Sequence, residues 1–150
     1  MEMEALLSLF LSGVISRLVS SLFVSFFFFL YFYSVIVAIA MEAEAKPFVE
    51  HLGLKDVTAD VFSSTVPFQA YQGTHGEAVV TVVTNGKDGV YQTGVDNCGT
   101  VPAALATYLA LDKVTDADIL INAGTAGGFG RMGGQIGDVY LTTAVAHHDR

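Results

Sequence analysis

Tryptophan is absent from the sequence, and cysteine occurs once, at Cys98. A single cysteine excludes an internal disulfide framework and a cysteine-based metal site. Because no base is visible beside it in the sequence, we predict a small packed thiol at Cys98 rather than a nucleophile.

Lysine and arginine number only 7 against 15 acidic residues, so the formal net charge is −8. Since nucleic-acid affinity depends on basic side chains, this composition argues against a nucleic-acid partner.

Charged residues are also missing between Arg17 and Glu42, and this gap contains four successive phenylalanines that begin at Phe26. Residues 18–41 are long enough for a membrane anchor, because about twenty apolar residues cross a bilayer. A secretory signal with Ala38-Ile-Ala40 as its cleavage site is a second interpretation.

Both interpretations have defects. Glu2 and Glu4 suit neither a signal peptide nor a positive-inside anchor, and both interpretations use residues 35–39, which are better explained as a buried strand. A third interpretation is a gene-model artefact, because the serine, leucine and phenylalanine codons of residues 18–34 resemble a pyrimidine-rich tract before a splice site. We therefore separate residues 1–34 from a domain at residues 35–150. We expect a cytoplasmic protein, with the secretory pathway or a membrane as the alternatives if the N-terminal segment is real.

The domain alternates strands and helices. The segment Met41-Glu-Ala-Glu-Ala-Lys-Pro47 opens a helix that ends near Gly53, and we place its start at about Ala45 or Lys46, because proline is tolerated only in a first turn. Residues 68–72 and 78–84 are predicted to form an antiparallel pair, before a polar loop and a second helix. This order predicts a mixed α/β sheet with helices on both faces.

A glycine-rich loop follows the apolar run Ile119-Leu-Ile121, which predicts a strand buried on both faces. Its glycines, beginning with Gly124, allow the backbone to approach a ligand closely at the carboxyl edge of the sheet. The pattern G-x-x-G-G-x-G matches neither the dinucleotide-binding nor the P-loop motif. A further strand is predicted over residues 136–145. We assign no metal to the adjacent His147-His-Asp149, since neighbours on a strand point to opposite sides and no further ligand has suitable spacing.

Four motifs, in the same order along the chain, resemble the nucleoside phosphorylase and nucleosidase superfamily and, within it, the plant 5′-methylthioadenosine nucleosidases. They are Ala38-Ile-Ala-Met-Glu-Ala-Glu-Ala45, Gly94-Val-Asp-Asn-Cys-Gly-Thr-Val-Pro-Ala103, Ile121-Asn-Ala-Gly-Thr-Ala-Gly-Gly128, and Ile136-Gly-Asp138 with His148-Asp149. The resemblance covers residues 35–150 and about the first half of the family's domain. It implies a three-layer α/β/α sandwich with a mixed, twisted central sheet, truncated in this chain.

The resemblance also implies an activity: hydrolysis of the N-glycosidic bond of 5′-methylthioadenosine to adenine and 5-methylthioribose, in methionine salvage. S-adenosylhomocysteine is the second substrate that the family allows. By motif position, Glu44 is the catalytic base that activates water and Thr125 helps to hold that water. Ala126 and Gly127 lie against the adenine, and Met41 flanks the sugar. The resemblance implies no cofactor, a small-molecule nucleoside as the binding partner, and a homodimer for the complete protein.

Two alternatives stay open. Purine nucleoside phosphorylases hold phosphate with arginines near the end of the first strand and just before the glycine loop. This sequence has no arginine at either place, and Asn122 precedes the loop, so a bidentate anion clamp is missing and water is the favoured nucleophile. The other alternative is a secreted storage protein of the same superfamily, although Glu44 and Thr125 favour an enzyme.

The family's purine-protonating aspartate, its ribose-binding segment and the aromatic residues of its dimer interface match nothing in the sequence. Each acid or base commonly contributes 10²- to 10⁴-fold to a rate. We therefore expect the 150-residue chain by itself to be inactive.

Overall fold

The structure, a computed structural model, describes residues 33–146 and contains a five-stranded sheet in the order β2-β3-β4-β1-β5. Its elements are β1 (Tyr33–Ile39), α1 (Glu42–Leu52), β2 (Lys55–Asp56), α2 (Thr58–Val61), β3 (Gln69–His75), β4 (Ala78–Thr84), α3 (Thr100–Lys113), β5 (Ile119–Ala123) and a 3₁₀ turn (Gly130–Met132). Strand β1 runs parallel to both of its neighbours, β4 and β5. Strands β3 and β4 are antiparallel, as are β2 and β3. The predicted mixed sheet and the predicted antiparallel pair are therefore confirmed.

Helices cover both faces of this sheet. Successive residues of a strand point to opposite faces, and β1 uses both of them for packing. Ile36 is fully buried in a cluster that includes Ala106 and Ala110 of α3, whereas Val37 packs on the other face in a cluster that includes Ala45 of α1. The chain thus has the expected three-layer α/β/α arrangement, with β1 covered on both faces.

The apolar run at residues 35–39 forms most of β1, as predicted, and its β-branched side chains suit a strand. Because β1 begins at Tyr33, the end of the anchor candidate at residues 18–41 belongs to the sheet. Residues 1–32, where the anchor, signal and artefact interpretations differ, lie outside the described residues. Within residues 33–146, none of the helices combines the length and the apolar character needed to cross a membrane.

Helix α1 begins earlier than predicted. It starts at Glu42, before Ala45 and Lys46, and Pro47 lies inside it. The carbonyl of Met41 accepts a hydrogen bond from the amide of Ala45 at 3.1 Å, so the first turn closes ahead of the proline. Proline removes one amide donor from a helix interior, and here the flanking turns hold the helix across that gap.

Two predictions about the last third of the chain are wrong. The three apolar residues of β5 are not buried on both faces, since Ile119 is 49% exposed and Leu120 and Ile121 are each 44% exposed. Strand β5 is an edge strand, paired only with β1 among residues 33–146, and these three side chains belong to neither apolar cluster of the described residues. Residues 136–145 form no strand, and Leu141 is fully open to solvent, because no described strand pairs with this segment. A strand needs a partner for its backbone groups as well as an apolar pattern.

Candidate active site at the carboxyl edge of the sheet

Three parallel strands end together at one edge of the sheet. Ile39 of β1 is in register with Thr84 of β4 and with Ala123 of β5. The connections that leave β1 and β4 run to opposite faces, because α1 packs on one face and α3 on the other. Neighbouring parallel strands with diverging connections form a crevice at their carboxyl ends, the usual ligand site of open α/β sheets. The walls of this crevice are the segments that follow the three strands.

Glu44 and Thr125 meet in this crevice although they lie far apart in the sequence. The hydroxyl of Thr125 donates a hydrogen bond to Oε1 of Glu44 at 2.6 Å, and the amide of Thr125 donates to the same oxygen at 2.8 Å. The first distance is typical of a charge-assisted bond between a hydroxyl and a carboxylate. A Cβ atom placed on Gly124 would lie 3.6 Å from both carboxylate oxygens of Glu44. The carboxylate therefore packs directly against the start of the glycine-rich loop.

The helix position of Glu44 explains how the fold presents this carboxylate. Met41 is the N-cap residue of α1, so Glu44 occupies the third helical position, from which a glutamate can reach back to the N-cap amide. Burial is the largest influence on the pKa of Glu44 and raises it, but hydrogen bonds from the Thr125 hydroxyl, the Thr125 amide and the Met41 amide outweigh burial. The pKa of Glu44 is consequently held below its ordinary value of 4.5. The carboxylate is ionised at neutral pH, which is the state that a general base requires.

The other predicted site residues lie at the same edge. Met41 is half-buried at the start of α1, and Ala126 and Gly127 are exposed in the loop directly after Thr125. Within residues 33–146, no hydrogen bond joins Ala126 or Gly127 to the rest of the protein. A Cβ atom on Gly127 would meet no atom within 4 Å. The structure thus brings Glu44 and Thr125 into contact and leaves this part of the loop open toward the crevice.

Contacts from the loop between β4 and α3 were missed by the sequence analysis, which treated residues 85–94 only as a polar connection. Oδ1 of Asp96 accepts a hydrogen bond from the amide of Glu42 at 3.2 Å, and the Glu42 side chain forms an ion pair with Lys87. The hydrogen bond with Lys87 is the main reason that the pKa of Glu42 lies below 4.5, and the same bond raises the pKa of Lys87 above 10.5. These three residues line a cavity of about 220 Å³ beside the start of α1. Asp96 lies in one of the four motifs that carry the family resemblance, and this motif could have indicated that the loop belongs to the site.

The same loop is held in shape by its own side chains. The side-chain amide of Asn85 donates to the carbonyl of Asn97 at 3.0 Å, and the Asn97 side chain donates to the carbonyl of Asn85 at 3.3 Å. Further out, the Asp88 carboxylate accepts the Tyr91 amide at 3.1 Å and the Thr93 hydroxyl at 2.9 Å. The hydrogen bond from the Tyr91 amide is the largest of the causes that lower the pKa of Asp88. The loop is therefore an ordered wall of the crevice.

Two further predictions concern reactive or metal-binding side chains. Cys98 is exposed in the loop before α3, so the predicted packed thiol is wrong. The loop position accounts for this, because Cys98 lies outside both apolar clusters of the described residues. Residues 33–146 contain no group of three or more His, Cys, Asp or Glu side chains arranged to hold a metal ion. His147, His148 and Asp149 lie outside the described residues.

Comparison with known proteins relates this architecture to a family. The profile of the phosphorylase superfamily matches residues 34–150. A 5′-methylthioadenosine nucleosidase of Arabidopsis thaliana is 43% identical over 117 residues, which are 78% of this chain and 43% of the relative. A 5′-methylthioadenosine/S-adenosylhomocysteine nucleosidase of the same organism is 38% identical over 117 residues, covering 78% of this chain and 45% of the relative. The chain therefore spans less than half the length of these curated relatives.

Solved structures agree with the sequence comparison. The apo structure of the Arabidopsis thaliana 5′-methylthioadenosine nucleosidase matches with a TM-score of 0.64 and 41% identity, covering 71% of this chain and 43% of that chain. A crystal structure of an MTA/SAH nucleosidase also matches with a TM-score of 0.64, at 34% identity. The mixed sheet and its helices on both faces are thus the fold of these nucleosidases, and the chain belongs to the phosphorylase superfamily.

Proposed function

We propose that the protein hydrolyses the N-glycosidic bond of 5′-methylthioadenosine to adenine and 5-methylthioribose, and that S-adenosylhomocysteine is a second substrate. The observation that carries the proposal is the contact between Glu44 and Thr125 at the carboxyl edge of the sheet. The names of the relatives support the choice of substrate. Because the chain spans less than half of their length, the proposal concerns the activity of the whole protein in its native form.

In this reaction Glu44 acts as the general base. An ionised carboxylate accepts a proton from water as the water oxygen bonds to the anomeric carbon of the ribose. The bond from that carbon to the purine nitrogen breaks, and its electron pair leaves with the adenine. Both hydrogen bonds from Thr125 end on Oε1 of Glu44, so Oε2 receives neither of them, and we assign the contact with the water to Oε2. A separate acid must protonate the departing adenine, and we assign that role to none of the described residues.

The remaining assignments concern binding. We place the adenine against the backbone of Ala126 and Gly127, where the loop is exposed and carries no large side chain. Glycine permits such close approach because it has no Cβ atom. Met41, at the N-cap of α1, lies at the same edge of the sheet as Glu44, and we assign it the contact with the sugar.

The charges at the crevice favour water over phosphate as the nucleophile. Three carboxylates, those of Glu42, Glu44 and Asp96, lie around the start of α1, and an incoming anion would be repelled by them. The nearby Lys87 is already paired with Glu42, and Lys46 lies 3.9 Å from a carboxylate oxygen of its own helix. Adenine release is therefore expected to be independent of added phosphate.

The experiment is a comparison of adenine release from 5′-methylthioadenosine by the full-length protein and two variants. Glu44→Gln keeps a side chain that can make the helix-start contact but cannot accept a proton, so kcat should fall by roughly 10²- to 10⁴-fold. Glu50→Gln is the matched control, because it makes the same change on an exposed residue of the same helix and should leave kcat unchanged. Absence of adenine release by the wild-type protein, or wild-type activity in Glu44→Gln, would contradict the proposal.

A further inference from the structure

We propose that Asp96 is a positioning residue, whose carboxylate caps helix α1 from the neighbouring loop and thereby holds Glu44 in contact with Thr125. The inference rests on the proposed function, because that function assigns the role of base to Glu44. Asp96 is not assigned any contact with the substrate or with the reacting atoms.

The first helical amides of α1 receive no cap from the side chain of the N-cap residue. That residue, Met41, has an apolar side chain and makes no side-chain capping hydrogen bond. The first amides of a helix have no partner within the helix, and at α1 these include the amide of Glu42. Oδ1 of Asp96 accepts the hydrogen bond from this amide at 3.2 Å. A carboxylate at this place also interacts favourably with the positive end of the helix dipole.

Asp96 is itself held in place by the base of its loop. It forms an antiparallel bridge with Lys87 across the loop. The next residue, Asn97, donates its amide to the carbonyl of Gly86 at 2.9 Å and exchanges side-chain hydrogen bonds with Asn85. This part of the loop continues directly from β4, which lies in the interior of the sheet. The cap on α1 is therefore anchored to the rigid part of the fold.

The first turn of α1 is consequently tied at two points. Asp96 holds the amide of Glu42 from the side of β4, and Thr125 holds the carboxylate of Glu44 from the side of β5. Loss of the first tie would free the turn that carries Glu44. Because a misplacement of about 1 Å in a catalytic group can cost roughly 100-fold in rate, we expect a loss of kcat between about tenfold and 100-fold.

The test measures kcat and KM of the full-length protein for 5′-methylthioadenosine with two substitutions at the same position. Asp96→Ala removes the hydrogen-bond acceptor and should lower kcat as above, with KM unchanged, because positioning of a base acts on the transition state. Asp96→Asn removes the charge but keeps an oxygen acceptor, and asparagine is as good a capping residue as aspartate, so it should restore most of kcat.

A matched control is available at another helix. Oδ1 of Asp56 accepts the amide of Thr58 at 2.8 Å at the start of α2, and β2, which carries Asp56, lies at the opposite edge of the sheet from β5. Asp56→Ala removes the same kind of contact and should leave kcat unchanged. Wild-type kcat in Asp96→Ala would overturn the inference, as would equal losses in both Asp96 variants, or a rise in KM in place of the fall in kcat.

A second readout does not depend on activity. Amide hydrogen exchange of the free protein should become faster at Glu42 and Ala43 in Asp96→Ala, and stay unchanged in α3. If the wild-type protein releases no adenine, the proposed function fails, while faster exchange would still show that Asp96 holds the helix start. Unchanged exchange at these two amides would overturn the positioning role itself.

Discussion

Replacement of Thr125 by valine isolates one of the two hydrogen bonds that hold Glu44. Valine keeps the branched shape and the backbone amide, so the 2.8 Å bond from the amide remains while the 2.6 Å bond from the hydroxyl is lost. The hydroxyl stabilises the ionised form of Glu44, and its removal should raise the pKa of this carboxyl toward its ordinary value.

The size of the effect follows from the exposure of the pair. A hydrogen bond to a charged group contributes about 1.5 to 3 kcal/mol in a buried site. Thr125 is exposed and Glu44 is half-buried, so we discount this to about 1 kcal/mol for screening by solvent. Since about 1.4 kcal/mol corresponds to tenfold, kcat/KM should fall by roughly fivefold on the acid side of the pH profile and change little at neutral pH, where Glu44 is ionised in both proteins.

The assay is the pH dependence of kcat/KM for adenine release by the full-length protein. In Thr125→Val the acid limb of the profile should move to higher pH, so the loss becomes larger as the pH falls. Thr125→Ser is the control, because it keeps a hydroxyl on the same backbone and should retain the wild-type profile. A wild-type profile in Thr125→Val, or an equal loss in the serine variant, would refute the assigned role of the hydroxyl.

Three further predictions concern stability. Ile36 is fully buried in β1, so Ile36→Ala should lower the free energy of unfolding by about 2 to 5 kcal/mol. Urea denaturation measures this change, and a change below about 1 kcal/mol would contradict the assigned core. Gly86→Ala should lower Tm more than Gly53→Ala. Both glycines have a φ of 62°, but only at Gly86 would the new Cβ lie 1.6 Å from the Pro67 carbonyl oxygen. Equal Tm values for the two variants would be inconsistent with this contact. The pKa values of Glu44 and Asp56 in the folded protein lie below their ordinary values of 4.5 and 3.8. The stability that these carboxylates contribute is therefore complete above the ordinary pKa values, and it is lost as the pH falls through the pKa values of the folded protein. The urea midpoint of unfolding should therefore stay constant between pH 5 and 7 and decrease as the pH falls below about 4. A urea midpoint that stays constant below about pH 4 would contradict this prediction.

The centre of the fold could be predicted from local patterns. Residues 35–39 are apolar on successive positions, and all of them except Ala38 are β-branched, which is typical of a strand covered on both faces; they form most of β1. The meeting of Glu44 and Thr125 was expected from the family motifs and not from local patterns. One comes soon after β1 and the other directly after β5, and the carboxyl ends of parallel neighbours lie at one edge of a sheet.

The errors arise where structure depends on partners that a local pattern does not reveal. The run at residues 119–121 is as apolar as β1, yet it forms an edge strand, because strand order is set by the connections and not by hydropathy. Residues 136–145 have a strand-like composition and no described strand beside them. The start of α1 was placed too late because the rule on proline considers one residue, whereas a cap from Asp96 in a distant loop supports the preceding turn.

The most direct test of the proposed hydrolysis is the fate of the oxygen in water labelled with ¹⁸O. The full-length protein is incubated with 5′-methylthioadenosine and phosphate in this water, and the sugar product is analysed by mass spectrometry. Hydrolysis predicts free 5-methylthioribose with one ¹⁸O atom at the anomeric carbon. A methylthioribose phosphate, or a sugar product without the label when it is analysed before exchange with the solvent, would contradict the role of Glu44 as a base that activates water.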